Sequence, residues 1–546
     1  LYYAHGMLAA FRKMPYLQEA ALFVGLIAVF VALQRAPVFP DPDSFFHLKM
    51  AELTAAGGPV REFPWLPFTT LGSHFADHHF LYHVALIPFI TALGPLVGMK
   101  VATATFAALA IAGFSWALRS LGIRGAPLYA LFLTTVTPFV FRMNLAKASA
   151  FGVLLLVLGI TFALRRRALP LALLSFLYVW THGSWPALLV CGTIAAVFVS
   201  AWVPSALAPE LGYPASRDTA RAPSEANGNG ALTASHSPRF ARPAPFALVK
   251  TLLALWGGTA LGLVVNPFFP QNLFFYWEQI VQIAVVGYRG AIGVGAEWYP
   301  YRVDNLLSDL QPLFLALAAA LTVAVLFTIR ERRIDRRALA LLIVVPLFAA
   351  LTVRSRRHVE YLAPLIMLLV AHWSDRAYGA LMRTDQVRAY ARTVAPFALI
   401  AGAALTILLV VRIEYVQPYG DLSLGPYRFT RYERATVFLR DTVPPHAVVM
   451  HADWDDFPVL FYRDPSHRYV SGLDPTFLFR TDPDRYRRYE AFTRGESPDP
   501  VAVMREFESR FVFMDGDHLA LARQLEESGL FEKAYEDDEA VIYRLP

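Results

Sequence analysis

The chain has 546 residues, of which 56% are hydrophobic and only 17% charged, too apolar a balance for an ordinary soluble protein. That composition excludes a purely aqueous fold and predicts a polytopic α-helical membrane protein. The formal net charge of +6 does not make nucleic acid a partner, because the arginines cluster beside apolar runs, the footprint of membrane orientation. Cys191 is the only cysteine, so an intrachain disulfide and a Cys-based metal site are both excluded.

Arg12 and Lys13 precede an apolar run without a small-residue cleavage pattern, which is therefore expected to remain as the first span. A helix crosses the bilayer with roughly 20 apolar residues, and about eleven runs of that order recur. They lie near 18–36, 98–118, 126–141, 148–164, 168–183, 186–204, 247–266, 309–328, 338–353, 359–372 and 393–412. The shorter run 80–95 contains His83 and Pro88 and reads as a helix in or near the interface. With Arg12 and Lys13 cytoplasmic, Arg119, Arg124, Arg165 to Arg167, Arg330 to Arg337 and Arg376 to Arg392 fall on the same side. The loops 37–97, 142–147, 182–185, 267–308 and 354–358 then face outward, with everything after 413. The stretch 205–245, rich in Ala, Pro, Ser, Asn and Gly, is expected to be a disordered cytoplasmic loop. The transmembrane domain thus takes 1–413, and 414–546 reads as a small α/β domain on the external face. Within it the pattern predicts helices at 430–441, 500–508 and 518–529 and strands at 446–450, 510–514 and 540–544. No internal repeat is evident.

The polar residues of interest lie in the outward loops. Asp41 and Asp43 flank Pro42 after the first span, where a carboxylate can act as a base or hold a divalent cation; Asp43 also fits a helix cap. Asp77, His78, His79 and His83 form a second polar group, open to metal or phosphate binding or to plain solvation. Arg142 and Lys147 are cations on the face that the charge rule disfavours, which suggests an anionic ligand such as phosphate. His182 and Asn266 end two spans, and Glu297-Trp298-Tyr299-Pro300 sits in a long aromatic-rich loop. Arg354, Arg356, Arg357 and His358 make a candidate phosphate clamp, with anionic lipid headgroups the other reading.

In this order the motifs resemble the catalytic subunit family of oligosaccharyltransferases, of the GT-C class of membrane glycosyltransferases. Asp43-Ser-Phe-Phe-His-Leu-Lys49 is similar to the family's first external-loop pattern, whose Asp binds metal and acceptor. Glu297-Trp-Tyr-Pro300 resembles its Glu-x-x-Pro, and Arg357 to Pro364 its Arg-x6-Pro, whose Arg contacts the lipid-linked diphosphate. Asp453-Trp454-Asp455-Asp456-Phe457 lies where the family has Trp-Trp-Asp-Tyr-Gly, with only Trp454 and Asp455 in agreement. Phe141 to Ser149, where the family carries a second acidic motif, holds no acid.

The resemblance implies a GT-C-like fold and transfer of a sugar or glycan from a polyprenyl-phosphate or diphosphate carrier to a glycan, lipid or protein acceptor. The reaction is expected at the external face of the bacterial inner membrane. Asp43, Asp41 and Glu297 would be catalytic, with Asp43 and Glu297 also the ligands of any Mg or Mn. Arg357, Arg354, Lys147 and Arg142 would bind the donor phosphate, and Trp454, Asp455, His47 and His182 the acceptor. The alternative is a non-catalytic lipid-carrier flippase or a membrane scaffold with a partner-binding external domain.

Overall fold

The computed structural model describes residues 15–200, 245–331, 335–386 and 425–546. The predicted span 393–412, the boundary at 413/414 and, apart from Pro245, the predicted loop 205–245 lie outside the described residues. The first helix, α1 (Pro15–Leu33), leads through strand β1 (Val38–Phe39) into α2 (Asp43–Gly57), α3 (Thr70–Ser73) and α4 (Phe80–Leu93). The bundle continues with α5 (Pro95–Ser120), α6 (Ala126–Leu133), α7 (Thr137–Met143), α8 (Ser149–Leu164), α9 (Ala168–Thr181), α10 (Trp185–Ser200) and α11 (Pro245–Val264). After α12 (Gln271–Tyr276) come α13 (Val303–Asp309), α14 (Gln311–Glu331), α15 (Arg336–Arg354) and α16 (Val359–Leu381).

Among the described residues five helices are long and apolar enough to cross a membrane, and six if α6 and α7, bent by 88°, form one broken span. Ten of the eleven predicted runs fall on described helices, and the eleventh, 393–412, lies outside the described residues. Helices α8, α9 and α10 are apolar but have only 16, 14 and 16 residues, and α16 mixes apolar residues with Glu360, Asp375 and Arg376. Pro138 in the first turn of α7 brings no backbone N–H to continue the preceding helix, which favours a break there.

Ion pairs define the two ends of the bundle. At one end Arg119 meets Glu19 at 2.6 Å, Arg124 meets Asp375 at 2.8 Å, and Arg376 meets Glu331 and Asp335 at 2.7 and 2.5 Å. The arginines grouped by the charge rule, where described, therefore do come together. The loops 37–79, 142–148, 182–184, 265–302 and 355–358 gather at the other end, beneath the C-terminal domain. Helix α4 begins at this domain end and returns to it. Its Phe89 carbonyl lies against Gly98, where an added Cβ would stand 2.5 Å from that oxygen, and nearby Lys100 Nζ donates to the Val38 carbonyl at 2.8 Å. Both contacts lie at the start of α5, which runs to Arg119 at the far end, so α4 does not traverse the bundle.

The C-terminal domain contains β2 (Tyr427–Arg428), α17 (Glu433–Thr442), β3 (Val448–His451), α18 (Phe457–Arg463), β4 (Arg468–Tyr469) and α19 (Thr476–Thr481). It ends with α20 (Pro483–Thr493), α21 (Pro500–Glu506), β5 (Ser509–Asp515), α22 (Leu519–Ser528), β6 (Glu532–Glu536) and β7 (Ala540–Arg544). Its sheet has the order β4-β3-β5-β7-β6, parallel across the first three strands and antiparallel across the last three. All six elements predicted there are present. The helices at 457–463, 476–481 and 483–493 and the short or polar strands β4 and β6 carried too little periodicity to be read.

A strand pairing and an aromatic cluster are among the contacts that fix this domain to the bundle. Strand β1 pairs antiparallel with β2, Val38 opposite Arg428 and Phe39 opposite Tyr427. Helix α2 packs on α18, with Phe46 and Phe63 centred 6.0 and 5.4 Å from Phe461, and Trp65 4.8 Å from the same ring. Phe45 stacks on Phe429 at 6.1 Å. The aromatic pair beside Asp43 is thus an anchor: both rings are buried, and each contributes about 1.5–3 kcal/mol by burial.

Candidate functional site

Asp43 opens α2 after Pro42, which offers no side-chain cap, and Asp41 Oδ1 accepts the Asp43 N–H at 2.9 Å. Asp43 is left to turn its carboxylate inward. Lys147 Nζ stands 2.8 Å from both Asp41 Oδ2 and Asp43 Oδ2. Burial, opposed by Lys147 and reinforced by Asp41, raises the Asp43 carboxyl to about 6. Burial disfavours the Lys147 charge, but Asp41 and Asp43 outweigh it and hold the ammonium above its ordinary range.

A second network adjoins the first. Arg142, brought in by the bend between α6 and α7, pairs with Glu297 at 2.5 Å and with Glu360 at 2.8 Å. Glu297 also faces Arg357 at 3.4 Å. Burial opposes the Glu297 charge, yet Arg357, Lys147 and Arg142 together press its carboxyl well below the usual range. Arg357 stacks on Trp298, 4.3 Å from the ring centre, a contact that holds a guanidinium flat while leaving its edge free to bind anions.

Three adjoining cavities meet here. The first, of about 660 Å³, is mainly apolar, with Ile280, Ile283, Val285, Val286, Leu347 and Leu351 along it and Arg354, Arg357 and His358 among its polar residues. One of its walls is the wide helical turn Trp277–Val286, ended by Gly287 at φ +66°. The second cavity, about 120 Å³, contains Asp43, Lys147, Arg142, Glu297 and His47. The third, about 650 Å³, runs from Asp41 and Asp43 to Asp453, Trp454 and Asp455 of the C-terminal domain. Trp298 and Arg357 line all three.

The predicted site residues divide among these cavities. Asp43, Glu297, Lys147, Arg142 and Arg357 share the centre. Trp454 and Asp455 lie across the third cavity, with Trp454 packed 3.6 Å from a Cβ placed on Gly295. Burial and the neighbouring Asp453 raise the Asp455 carboxyl to about 7. Arg354 reaches only the first cavity, where its guanidinium donates to the Val285 carbonyl. His182, expected with the acceptor residues, lines the first two cavities and not the third; its Nδ1 is 2.7 Å from Ser184 Oγ. Lys147 and Arg142, expected on the donor phosphate, are engaged by carboxylates because their loop folds back onto α2 and the 297 loop.

His47 is buried and its Nδ1 lies 2.8 Å from His83 Nε2, while His83 Nδ1 lies 2.6 Å from Asp77 Oδ2. Burial, with His83, His79 and Lys147 nearby, holds His47 well below its ordinary range, so it is neutral. Three site residues escaped sequence reasoning. Glu360 is fully buried beneath Arg142, and an acid inside an apolar run was the available signal. Asp474 lines the second and third cavities and caps Thr476 at 2.8 Å, and Trp298 was read only as part of a motif.

The resemblance implies a divalent cation held by Asp43 and Glu297. The donor set does not fit one. Each carboxylate is already paired, Asp43 with Lys147 and Glu297 with two guanidiniums. Among the described residues no group of three or more His, Cys, Asp or Glu side chains converges to bind a metal.

No protein-family model matches the chain, and no curated protein matches it in sequence. Solved structures do. The apo oligosaccharyltransferase of Archaeoglobus fulgidus superimposes with a TM-score of 0.57 at 15% identity, over 93% of this chain and 71% of that one. ArnT from Cupriavidus metallidurans, solved with undecaprenyl phosphate, matches at 0.53 and 16%, over 96% and 98%. The mycobacterial arabinofuranosyltransferase AftD matches at 0.53 and 14%, over 98% of this chain but 40% of that one. The fold is that of the GT-C glycosyltransferases. At these identities the likeness is one of fold, and chemistry must be argued from the site itself.

Proposed function

We propose that the protein is a glycosyltransferase that moves a sugar or glycan from a polyprenyl-phosphate or diphosphate carrier to an acceptor at the external face of a bacterial inner membrane. The observation that carries this reading is the junction at Trp298 and Arg357, where an apolar groove, a polar centre and a cleft under the C-terminal domain meet. An isoprenyl chain fits the first, the anomeric carbon the second and an acceptor the third. All ten elongated segments from α1 to α16 other than α2 to α4, α12 and α13, with α6 and α7 taken as one, would then cross the bilayer, the shorter ones where it is locally thin.

In this reading the acceptor N–H or O–H approaches from the third cavity and its heteroatom attacks the anomeric carbon. Asp43 takes the proton, and the carbon–oxygen bond to phosphate breaks with its electron pair passing to the phosphate oxygen. Arg357 stabilises that charge where it develops. Arg354 guides the phosphate at the groove mouth, and Glu297 holds Arg357 and Arg142 in place. Trp454 and Asp455 orient the acceptor, while neutral His47 and His182 supply hydrogen bonds to the sugar. The fold of ArnT, solved with a polyprenyl phosphate, supports the choice of carrier.

The test is transfer of radiolabel from a panel of synthetic polyprenyl-phosphate sugars, by purified protein in nanodiscs, to cell envelopes of a strain lacking the protein. Label moved by wild type and not by Asp43→Asn supports the reading. Equal transfer by both, or none together with no undecaprenyl phosphate binding, refutes it.

A further inference from the structure

Lys147 stands where the resemblance of the Asp43 motif implies a divalent cation. Its ammonium nitrogen is 2.8 Å from an oxygen of Asp41 and 2.8 Å from one of Asp43, so two carboxylates from one turn converge on a single positive charge. A divalent ion bound to the same oxygens would need distances of roughly 2.0–2.6 Å and would have to expel that ammonium. The lysine is not a casual surface visitor. Its side chain is 14% exposed, and its loop is braced by Asn144, which donates to the Val140 carbonyl at 3.0 Å and accepts from Gln34 at 3.1 Å. The loop has no acid that could complete a metal site, and Glu297 is neutralised by Arg142 and Arg357.

We propose that Lys147 is a built-in cation, a positioning residue that replaces the divalent metal and makes this transferase metal-independent. The proposal rests on the glycosyl-transfer reading above. The ammonium keeps Asp41 and Asp43 together despite their like charges and aims the free oxygen of Asp43 at the acceptor proton. It neither gains nor loses a proton during transfer. The acceptor proton goes to Asp43, and the electron pair of the broken bond goes to the phosphate.

The experiment is a Mn2+ titration, followed by electron paramagnetic resonance, of EDTA-treated full-length protein in nanodiscs, with label transfer measured in parallel. Wild type should leave the free Mn2+ signal unchanged and transfer label equally with and without EDTA. Lys147→Met, which keeps the length and removes the charge, should bind one Mn2+ per chain and lose it again when combined with Asp43→Asn. Mn2+ should restore part of the activity of Lys147→Met, and Lys147→Arg should keep metal-independent transfer. Wild type that binds Mn2+ through Asp43, or that stops in EDTA and recovers with Mn2+, overturns the proposal. A folded Lys147→Met that gains no Mn2+ overturns it as well. If no label moves under any condition, glycosyl transfer itself fails, while the wild-type titration still decides whether Lys147 excludes a metal.

Discussion

Lowering the pH through the range of Asp43 should switch the reaction off without unfolding the protein. Burial places this carboxyl at about 6 in spite of Lys147, and only its ionised form accepts a proton. At pH 7 about 90% of a group titrating at 6 is ionised and at pH 5 about 10%, so single-turnover transfer should fall about tenfold between them if Asp43 is the base. The stability effect of the same group has the opposite sign. Its pKa is raised from 3.8, so the folded state holds the proton more tightly, and this carboxyl adds stability as pH falls from above 6 towards 3.8. Loss of rate at pH 5 with an undiminished Tm therefore reports protonation. Lys147→Met removes the ammonium that lowers this carboxyl and should move the acid limb to higher pH. Asp43→Asn should lower the plateau by about 10²–10⁴-fold. The assay is single-turnover transfer in nanodiscs between pH 5 and 8, with calorimetry on the same samples. A flat wild-type profile, or an acid limb that stays put in Lys147→Met, would refute the reasoning.

Arg357→Ala should lower kcat by about 10²–10³-fold if, as proposed, its guanidinium stabilises the leaving phosphate; unchanged kcat with raised KM would assign it to binding alone. Val286→Glu places a carboxylate in the wall of the apolar groove at a half-exposed position. It should weaken undecaprenyl phosphate binding about tenfold or more, about 1.4 kcal/mol, as read by native mass spectrometry, while Tm holds. Phe461→Ala empties a fully buried position among Phe46, Phe63 and Trp65. It should cost about 3–5 kcal/mol, seen as a lower Tm and earlier proteolytic release of the C-terminal domain.

The sequence made one end of the bundle legible because arginines sort by membrane side, and that sorting gathered Asp43, Arg142, Lys147, Glu297 and Arg357 before any contact was known. It could not say how they pair. Lys147 as a phosphate ligand and Lys147 as the partner of two aspartates look identical in a string, since the difference lies in a loop folding back onto α2. Hydropathy registers apolar runs and not helix length: ten of the eleven runs fall on described helices, of which α8 to α10 have 16, 14 and 16 residues. Glu360 was hidden by its surroundings. One acid in an apolar helix leaves no periodic trace, and its meaning emerges only with Arg142 against it. The failed match of the 453–457 segment to the pattern it resembles was, by contrast, readable directly, and Asp453, Trp454 and Asp455 of that segment do line the third cavity.

The β1–β2 ribbon and the aromatic anchor of α2 bind Asp43 and the C-terminal domain into one rigid body. Asp43 and the wall of the third cavity formed by Asp453, Trp454 and Asp455 then travel together. The 287–302 loop belongs to the same body: Ile292 is buried in the core of the C-terminal domain, Tyr288 lies 5.2 Å from Phe479, and Glu297 ties the loop to Arg142 and Arg357. Breaking the two ion pairs at Glu297 would therefore leave the loop in place, still held by the Tyr301 N–H on the Val353 carbonyl at 3.1 Å and the Arg356 N–H on the Tyr299 carbonyl at 3.2 Å, so the three cavities keep their common wall.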